Sequence, residues 1–240
     1  MRFLVDAPPY NHQSGGVRVM HRLIKLLRDA GYNAEPLQQY HGPIQAGPQD
    51  IVIYADYHGH DDPCHAANKV YYVLRYLREN WGMISSNEMC LYFVEQYHHA
   101  AQSHCAVPVP QDARLTIACV EPGLFKPLDK TIDAVYYIGK GQLGYNPKHL
   151  PPGAVEITRT LPATRREVAD MLGHAKRFYC FDHFTVMTDE AHMCGCEVIY
   201  LHNDEPPRHW PYTPNMIEDD GRDGEAVAAQ AKRMLAFFNL

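Results

Sequence analysis

Three features are scarce or absent in the sequence of 240 residues: long apolar runs, excess positive charge and a regular cysteine framework. No apolar run approaches the roughly 20 residues of a membrane-spanning helix, so we expect no membrane span. The formal net charge is −6, which argues against a dedicated nucleic-acid binder but leaves DNA open as a substrate. The seven cysteines are odd in number and scattered, which favours reduced thiols in a cytoplasmic protein.

The order of the apolar segments indicates an α/β protein. A buried strand is predicted at Arg2 to Ala7, where the apolar run is too short for a signal peptide, and an amphipathic helix follows that ends at Gly31. A further helix is predicted from about Glu88 to Gln102. The other strands of this half are predicted in "NAEPL", "DIVIYAD", "KVYYVLR" and "RLTIACV". Strands separated by helices indicate a parallel sheet with covered faces.

The same pattern begins again after "EPGLFKPLDK". Strands are predicted in "AVYYIGKG", "AVEITR", "RFYCFD" and "EVIYL", and Thr164 with Glu167 forms a capping box that opens a short helix. An alanine-rich helix closes the chain. We therefore predict two Rossmann-like domains, residues 1–127 and 128–222, that face each other across a cleft. The C-terminal helix, residues 223–240, is expected to pack back toward the first domain.

Two carboxylates, Asp182 and Glu190, stand eight positions apart between two predicted strands. If a helix opens at His183 to Thr185, Asp182 lies at its mouth, and the backbone N–H groups of Phe184 and Thr185 are donors that attract phosphate. Glu190 lies farther along this helix, where its two oxygens could bridge the hydroxyls of a ribose. The alternative is that Asp182 is a helix N-cap and Glu190 a solvated helix residue.

The stretch "FDHFTVMTDEAHMCGCEVIYL" resembles the signature of retaining nucleotide-sugar glycosyltransferases of the GT-B fold. Those proteins carry Glu, seven residues, Glu-Ala and a glycine before a strand; here Asp182 takes the place of the first Glu. The resemblance implies that Asp182 approaches the donor sugar and that Glu190 holds the nucleotide ribose. It also implies an acceptor-side first domain and a second domain that binds the nucleotide sugar.

Other segments resemble the same family in the same order. "PPYNHQSGGVRVMHRL" is similar to the family's first loop and helix, where a turn, here Gly15-Gly16, lets the backbone approach the donor phosphates. "DIVIYADYHG" is similar to a strand and loop that bring a histidine, here His58, toward the sugar. "YYIGKG" looks like the start of the second domain, where a basic residue, here Lys140, meets the pyrophosphate.

Three cations are candidates for binding phosphate. Lys140 and Arg159 each follow a predicted strand and could neutralise the charge that develops on the pyrophosphate as the sugar leaves. Arg159 could equally be a surface cation. Arg18, at a helix N-terminus, could reach a phosphate or pair with a nearby acid. Because the carboxyl ends of parallel strands share one edge, the loops after Ala7, Ala55, Gly139, Arg159 and Asp182 are expected to converge at the cleft.

The segment "HGHDDPCH" contains both hard and soft metal ligands. It lacks the paired, regularly spaced ligands of structural zinc sites, so His58 is favoured as a sugar contact or proton handler rather than as a metal ligand. The sequence has no Asp-x-Asp motif in a suitable loop. We therefore expect no metal and no required cofactor.

The expected function is transfer of a sugar, with retention, from a nucleotide sugar to an acceptor hydroxyl on a glycan or on a hydroxymethylated DNA base. A rival is a non-catalytic nucleotide- or sugar-binding protein on a degenerate fold of this type. Asp182 in place of Glu and a missing Arg-x-x-x-Lys-Gly element favour that rival. A metal-dependent hydrolase built on "HGHDDPCH" is a third reading. The oligomeric state stays open.

Overall fold

A computed structural model describes residues 1–37, 45–55, 64–74, 82–120, 123–139, 145–182, 185–201, 208–209 and 222–240. The chain divides into two compact units: Met1–Ala118 together with Asp219–Leu240, and Cys119–Glu218. The sequence pattern had suggested a boundary at residues 127 and 128. The C-terminal segment belongs to the first unit.

The first unit is built on five strands, which are β1 Phe3–Val5, β2 Ala34–Pro36, β3 Ile51–Ala55, β4 Asn68–Val73 and β5 Met89–Tyr92. They form one parallel sheet in the order β2-β1-β3-β4-β5. All residues of β1, β3 and β5 are buried, as expected for a parallel sheet covered on both faces. Between β1 and β3 the strand order reverses, which defines a topological switch point.

Three helices belong to this unit: α1 Gly15–Asp29, α2 His98–Ser103 and α5 Asp223–Phe238. The α1 helix begins where the Ser14 hydroxyl caps the Val17 N–H, and it is followed by Gly31, whose φ of +87° suits glycine. The α5 helix packs against α1. Asp223, at the start of α5, accepts a hydrogen bond from the Ala118 N–H at 2.8 Å and pairs with Arg22 at 3.4 Å.

Two predictions in this unit were wrong in whole or in part. The helix expected from about Glu88 to Gln102 is present only over its last part, as α2. The first four residues after Glu88 form β5 instead, because they are uniformly apolar and pair with the last residues of β4. An uninterrupted apolar run of this kind carries neither a helical nor a strand period. The expected strand "RLTIACV" makes only an isolated bridge between Tyr92 and Arg114. Beyond it, the Thr116 hydroxyl donates to the Phe93 carbonyl, so a side-chain hydrogen bond takes the place of the ladder.

The second unit is built on β6 Ile132–Tyr137, β7 Val155–Ile157, β8 Ala175–Cys180, β9 Glu197–Tyr200 and β10 Arg208–His209, with helices α3 Arg165–His174 and α4 Met187–Met193. The order is β10-β9-β8-β6-β7, and every neighbouring pair is parallel except β9 and β10. Counted from its own first strand, this sheet repeats the strand order of the first unit. Over the described ranges, two mainly parallel sheets and five α-helices thus form a mixed α/β protein with Rossmann-like units.

The helices of the second unit agree only in part with the sequence. The capping box of α3 is confirmed: the Thr164 hydroxyl accepts from the Glu167 N–H, and the Glu167 carboxylate accepts from the Thr164 N–H at 2.9 Å. By contrast, α4 begins at Met187, later than the predicted start at His183 to Thr185. The Thr185 hydroxyl accepts from the Met187 N–H at 3.3 Å, which holds the chain in a turn before the helix.

Within the described ranges, no helix has both the length and the apolar character that a membrane crossing requires.

Candidate functional site

The switch point of the second unit lies between β6 and β8, and the loops that follow these strands touch each other. Gly139 comes two residues after β6, and Asp182 comes two residues after β8. A Cβ atom built on Gly139 would lie 2.6 Å from Asp182 Oδ2 and would also meet the ring of Tyr137. Gly139 also has a φ of +54°, in the left-handed region. Glycine is therefore required here for two reasons, and its absence of a side chain lets the carboxylate approach the backbone.

A cavity of about 550 Å³ opens at the carboxyl ends of β6 and β7, lined by residues 137–139 and 156–160. This volume lies within the range of small-molecule sites, roughly 300–1,000 Å³. The position also follows the rule that open α/β sheets bind ligands beyond the carboxyl ends of their strands. The cavity lining includes the exposed side chains of one cation, Arg159, and one carboxylate, Glu156.

The phenol of Tyr137 connects Arg159 and Asp182 electrostatically. Burial raises the pKa of Tyr137, the hydrogen bond with Arg159 opposes this rise, and the negative charge of Asp182 adds to it. A cation and a carboxylate thus act on the same hydroxyl. Of the five strand-end loops expected to converge, those of Gly139, Arg159 and Asp182 come together in the second unit, whereas Ala7 and Ala55 belong to the first unit.

Asp182 is almost completely buried, at 6% exposure, and its surroundings fix the loop that carries it. The Cys180 thiol donates to the Asp182 carbonyl at 3.0 Å. On the neighbouring strand β9, burial raises the pKa of Tyr200 to about 12; a hydrogen bond with Thr188 opposes the rise, and the charge of Asp182 contributes to it. The charge of Asp182 therefore acts on the hydroxyls of both Tyr137 and Tyr200. It is not the N-cap of α4, since that position is Val186.

Glu190 is fully buried, so it is not the solvated helix residue of the alternative reading. Its Oε1 accepts a short hydrogen bond from the guanidinium of Arg165, the first residue of α3. The same guanidinium lies over the ring of Phe125, 4.7 Å from the ring centroid. The structure thus places Glu190 in an internal ion pair between α3 and α4, and the predicted contact with a ribose stays a prediction.

The phosphate donors proposed at the start of α4 are placed differently. Thr185 precedes the helix and accepts hydrogen bonds from it. Its hydroxyl accepts from the Met187 N–H, and its carbonyl accepts from the N–H and the hydroxyl of Thr188. The N–H groups of residues 187–190, at the start of α4, already donate to Thr185 or to Val186. Phe184 lies outside the described residues, as do Lys140 and His58.

In the first unit, Gly15 and Gly16 are the opening residues of α1 and not a separate turn. A Cβ atom on Gly16 would make only an ordinary contact, 3.8 Å from the Leu74 side chain. Arg18 is buried, at 5% exposure. Sequence reasoning missed Asp6, which is fully buried directly after β1; the signal was a single acid at the end of an apolar strand.

Arg165 was also missed by the sequence reasoning. It is one of two consecutive arginines, and the helical period was the signal that could have told them apart: Arg165 stands three, four and seven positions before Val168, Ala169 and Leu172 of the buried face. Arg165 is buried and Arg166 is exposed.

Within the part of the chain that the structure describes, no three His, Cys, Asp or Glu side chains are grouped so that they could hold a metal ion. The central ligands of "HGHDDPCH", residues 58 to 62, lie outside the described ranges. Cys64 is buried and His65 is exposed.

The chain matches no model of a known protein family, and a comparison with curated proteins finds no significant match. The functional argument therefore depends on the site and on the resemblance of its sequence motifs.

Proposed function

We propose that the protein is a nucleotide-sugar-dependent glycosyltransferase whose donor binds in the cavity of the second unit. The observation that carries the proposal is the meeting of Gly139, Arg159 and Asp182 at a switch point beside a cavity of about 550 Å³. Arg159 supplies a guanidinium for the diphosphate, and guanidinium–phosphate pairs can form two parallel hydrogen bonds.

Asp182 is proposed to act near the sugar. Its carboxylate lies against the glycine loop and beside the Tyr137 hydroxyl, so a bound donor would bring its diphosphate and anomeric carbon close to both. Charge stabilisation of a developing positive sugar by a fixed carboxylate is the chemistry that this position offers. No step requires a metal ion, because Arg159 and Lys140 are proposed to neutralise the leaving diphosphate.

Glu156 is the better candidate for the ribose contact. Glu156 is exposed and is one of the residues that line the cavity, and a carboxylate can accept hydrogen bonds from both hydroxyls of a vicinal diol, whereas Glu190 is fully buried and bound by Arg165. The Tyr136 hydroxyl donates to Glu156 Oε2 at 3.2 Å and orients the carboxylate. The carboxylate of the family motif is then structural in this chain.

The first test is thermal stabilisation by UDP-, GDP-, ADP-, CMP- and dTDP-sugars. A ligand that binds only the folded protein raises its melting temperature. We expect one nucleotide class to do so, and Arg159→Ala and Glu156→Gln each to reduce the rise. Arg166→Ala is the matched control, because Arg166 is an exposed arginine of the same unit outside the cavity. No rise with any nucleotide sugar would reject the donor site.

The second test is turnover. With the stabilising donor and an acceptor, Asp182→Asn is expected to lower the rate about a hundredfold or more while donor binding persists. Labelled sugar offered to glycans and to hydroxymethylated duplex DNA would identify the acceptor class. Incorporation into DNA alone would select the modified base, and incorporation into glycans alone would exclude it.

The alternative is a binding protein without turnover. Two observations favour this alternative. Glu190 is buried in an ion pair and Asp182 is only 6% exposed, so neither carboxylate is freely open to a substrate. Stabilisation by a nucleotide with no release of free nucleotide, in the presence of every acceptor class, would establish that alternative.

A further inference from the structure

Two cysteines of the first unit meet at a second cavity, separate from the proposed donor site. Cys90 lies on β5 and Cys105 lies just after α2, and both line a cavity of about 210 Å³. The rest of the lining is mostly apolar, with Arg233 and Phe237 of α5 among the contributors. Both cysteines are largely buried, at 8% and 9% exposure, and the cavity that they line offers a route to them.

The two thiols interact directly and unequally. The hydrogen bond from the Cys90 thiol to the Cys105 sulfur lowers the pKa of Cys105, although burial opposes this. The same hydrogen bond, together with burial, raises the pKa of Cys90 well above its ordinary value. Cys105 is therefore the better nucleophile of the pair, and Cys90 stays protonated as its donor.

A second cysteine pair provides an internal comparison. Cys194 and Cys196 are near neighbours in sequence, and their thiols donate to backbone carbonyls: Cys194 to Ala169, and Cys196 to Leu172 and Ala175. The Cys90 thiol likewise reaches the Leu91 carbonyl, at 3.7 Å, but Cys90 also shares a cavity with a second cysteine. Burial raises the pKa of Cys194 to about 12 and that of Cys196 to about 11. This pair has neither an activated thiol nor a thiol–thiol hydrogen bond in the described structure, and we expect it to be inert.

We propose that Cys90 and Cys105 form a reversible modification site, which a small-molecule disulfide converts into an intramolecular disulfide bond. The Cys105 thiolate attacks one sulfur of the small disulfide, whose S–S bond breaks and releases one thiolate. Cys90 then loses its proton to solvent and attacks the Cys105 sulfur of the mixed disulfide, which releases the second small thiol. Overall, the protein dithiol is oxidised by two electrons, and the small disulfide is reduced to two thiols.

The bond would close a loop from the sheet through α2. Because Cys90 and Cys105 are fifteen positions apart, the loop is short, and its closure restricts the unfolded chain. The oxidised protein is therefore expected to melt at a higher temperature than the reduced protein. The same reagent that restores the thiols should restore the lower melting temperature.

The experiment exposes the full-length reduced protein to oxidised glutathione, blocks the remaining thiols with iodoacetamide, and maps the products by mass spectrometry without reduction. We expect a Cys90–Cys105 cross-linked peptide, and its loss after treatment with dithiothreitol. Cys90→Ser should stop at a glutathione adduct on Cys105, because the resolving thiol is missing. Cys196→Ser is the matched control and should form the Cys90–Cys105 bond at the rate of the unsubstituted protein.

Two results would overturn the proposal. One is recovery of Cys90 and Cys105 as free thiols after the exposure. The other is oxidation of Cys194 with Cys196 at an equal or higher rate, which would show that the hydrogen-bonded pair at the cavity has no special reactivity. The first result needs no substituted protein, so it holds even if a variant fails to fold.

Discussion

At the scale of single residues, Asp50 links the start of β1 to the start of β3. It accepts from the Arg2 backbone N–H at 2.7 Å and from the Arg2 guanidinium at 2.6 and 3.1 Å, and the Gly47 N–H donates to it at 2.9 Å. Burial alone would raise the pKa of Asp50, but the hydrogen bonds from Arg2 and Gly47 outweigh it, and the pKa lies below its ordinary value.

The lowered pKa of Asp50 fixes the sign of a pH effect. A carboxylate with a lower pKa in the folded protein stabilises the fold above its unfolded pKa of about 4, and this contribution is lost as the pH falls through the folded pKa. Asp50→Asn should cost about 2 kcal/mol at neutral pH, since it removes charged hydrogen bonds. Urea unfolding at pH 7 and pH 3 checks this prediction. The difference in the free energy of unfolding between the unsubstituted protein and Asp50→Asn should be smaller at pH 3.

Gly139 gives a second prediction at this scale. Gly139→Ala adds a Cβ that collides with Asp182 and strains a positive φ, so we expect a loss of about 3 kcal/mol and of ligand-induced stabilisation. Gly153→Ala is the matched control, because Gly153 has a φ of +78° with nothing within 4 Å of the added atom. Gly153→Ala should lower the free energy of unfolding by about 1 kcal/mol, from the backbone strain alone. Equal losses in both variants would contradict the close contact with Asp182.

At the scale of elements, the Arg165–Glu190 pair joins α3 to α4. Removing one partner leaves the other charge buried, which typically costs about 3–5 kcal/mol. Glu190→Ala should therefore lower the free energy of unfolding by that amount, measured by denaturant titration. The combined Arg165→Met, Glu190→Leu variant should recover most of it. Lys25→Ala, in the exposed pair with Asp29, is the control and should change stability by about 0.5 kcal/mol or less.

This pair also shows why Glu190→Ala is a poor test of ligand binding. A loss of nucleotide binding in that variant would follow from destabilised packing as readily as from a lost ribose contact. Substitutions at Arg159 and Glu156 avoid the ambiguity, because both side chains are exposed and line the cavity.

The sequence predicted elements well where local signals act alone. The capping box at Thr164, the glycine that follows α1 and the alternation of strands and helices all depend on neighbouring residues. The prediction was wrong at Met89–Tyr92, because an apolar run becomes a strand only when a partner strand lies beside it. It also could not tell that Glu190 faces inward, since its partner Arg165 is 25 positions away. Burial of this kind depends on tertiary contacts.

At the scale of the whole molecule, the first unit is assembled from both ends of the chain. The α5 helix buries Val227, Ala231 and Met234, and its Gln230 side chain donates to the carbonyl of Arg114 at 3.3 Å. These contacts cover α1 and the segment after α2. The first unit is therefore incomplete without the C-terminal residues.

Truncation after Glu218 tests this dependence. Loss of α5 exposes apolar surface of α1, so the first unit should become sensitive to protease while the second unit stays resistant. Limited proteolysis followed by mass spectrometry measures the two separately. Asp223→Ala is a milder change than the truncation, because it keeps α5 but removes the acceptor of the Ala118 N–H and the ion-pair partner of Arg22. Resistance of both units in the truncated chain would show that α5 is dispensable.

The split of the first unit between the two ends of the chain sets an order of events during synthesis on the ribosome. The second unit is continuous in sequence and can fold as soon as it emerges, whereas the sheet of the first unit emerges earlier but waits for residues 223–238 to cover α1. For the time needed to translate roughly a hundred intervening residues, about 5–20 s, that apolar helix face is open to chaperones or to other nascent chains. Residues 223–238 are thus the segment whose arrival ends this exposure.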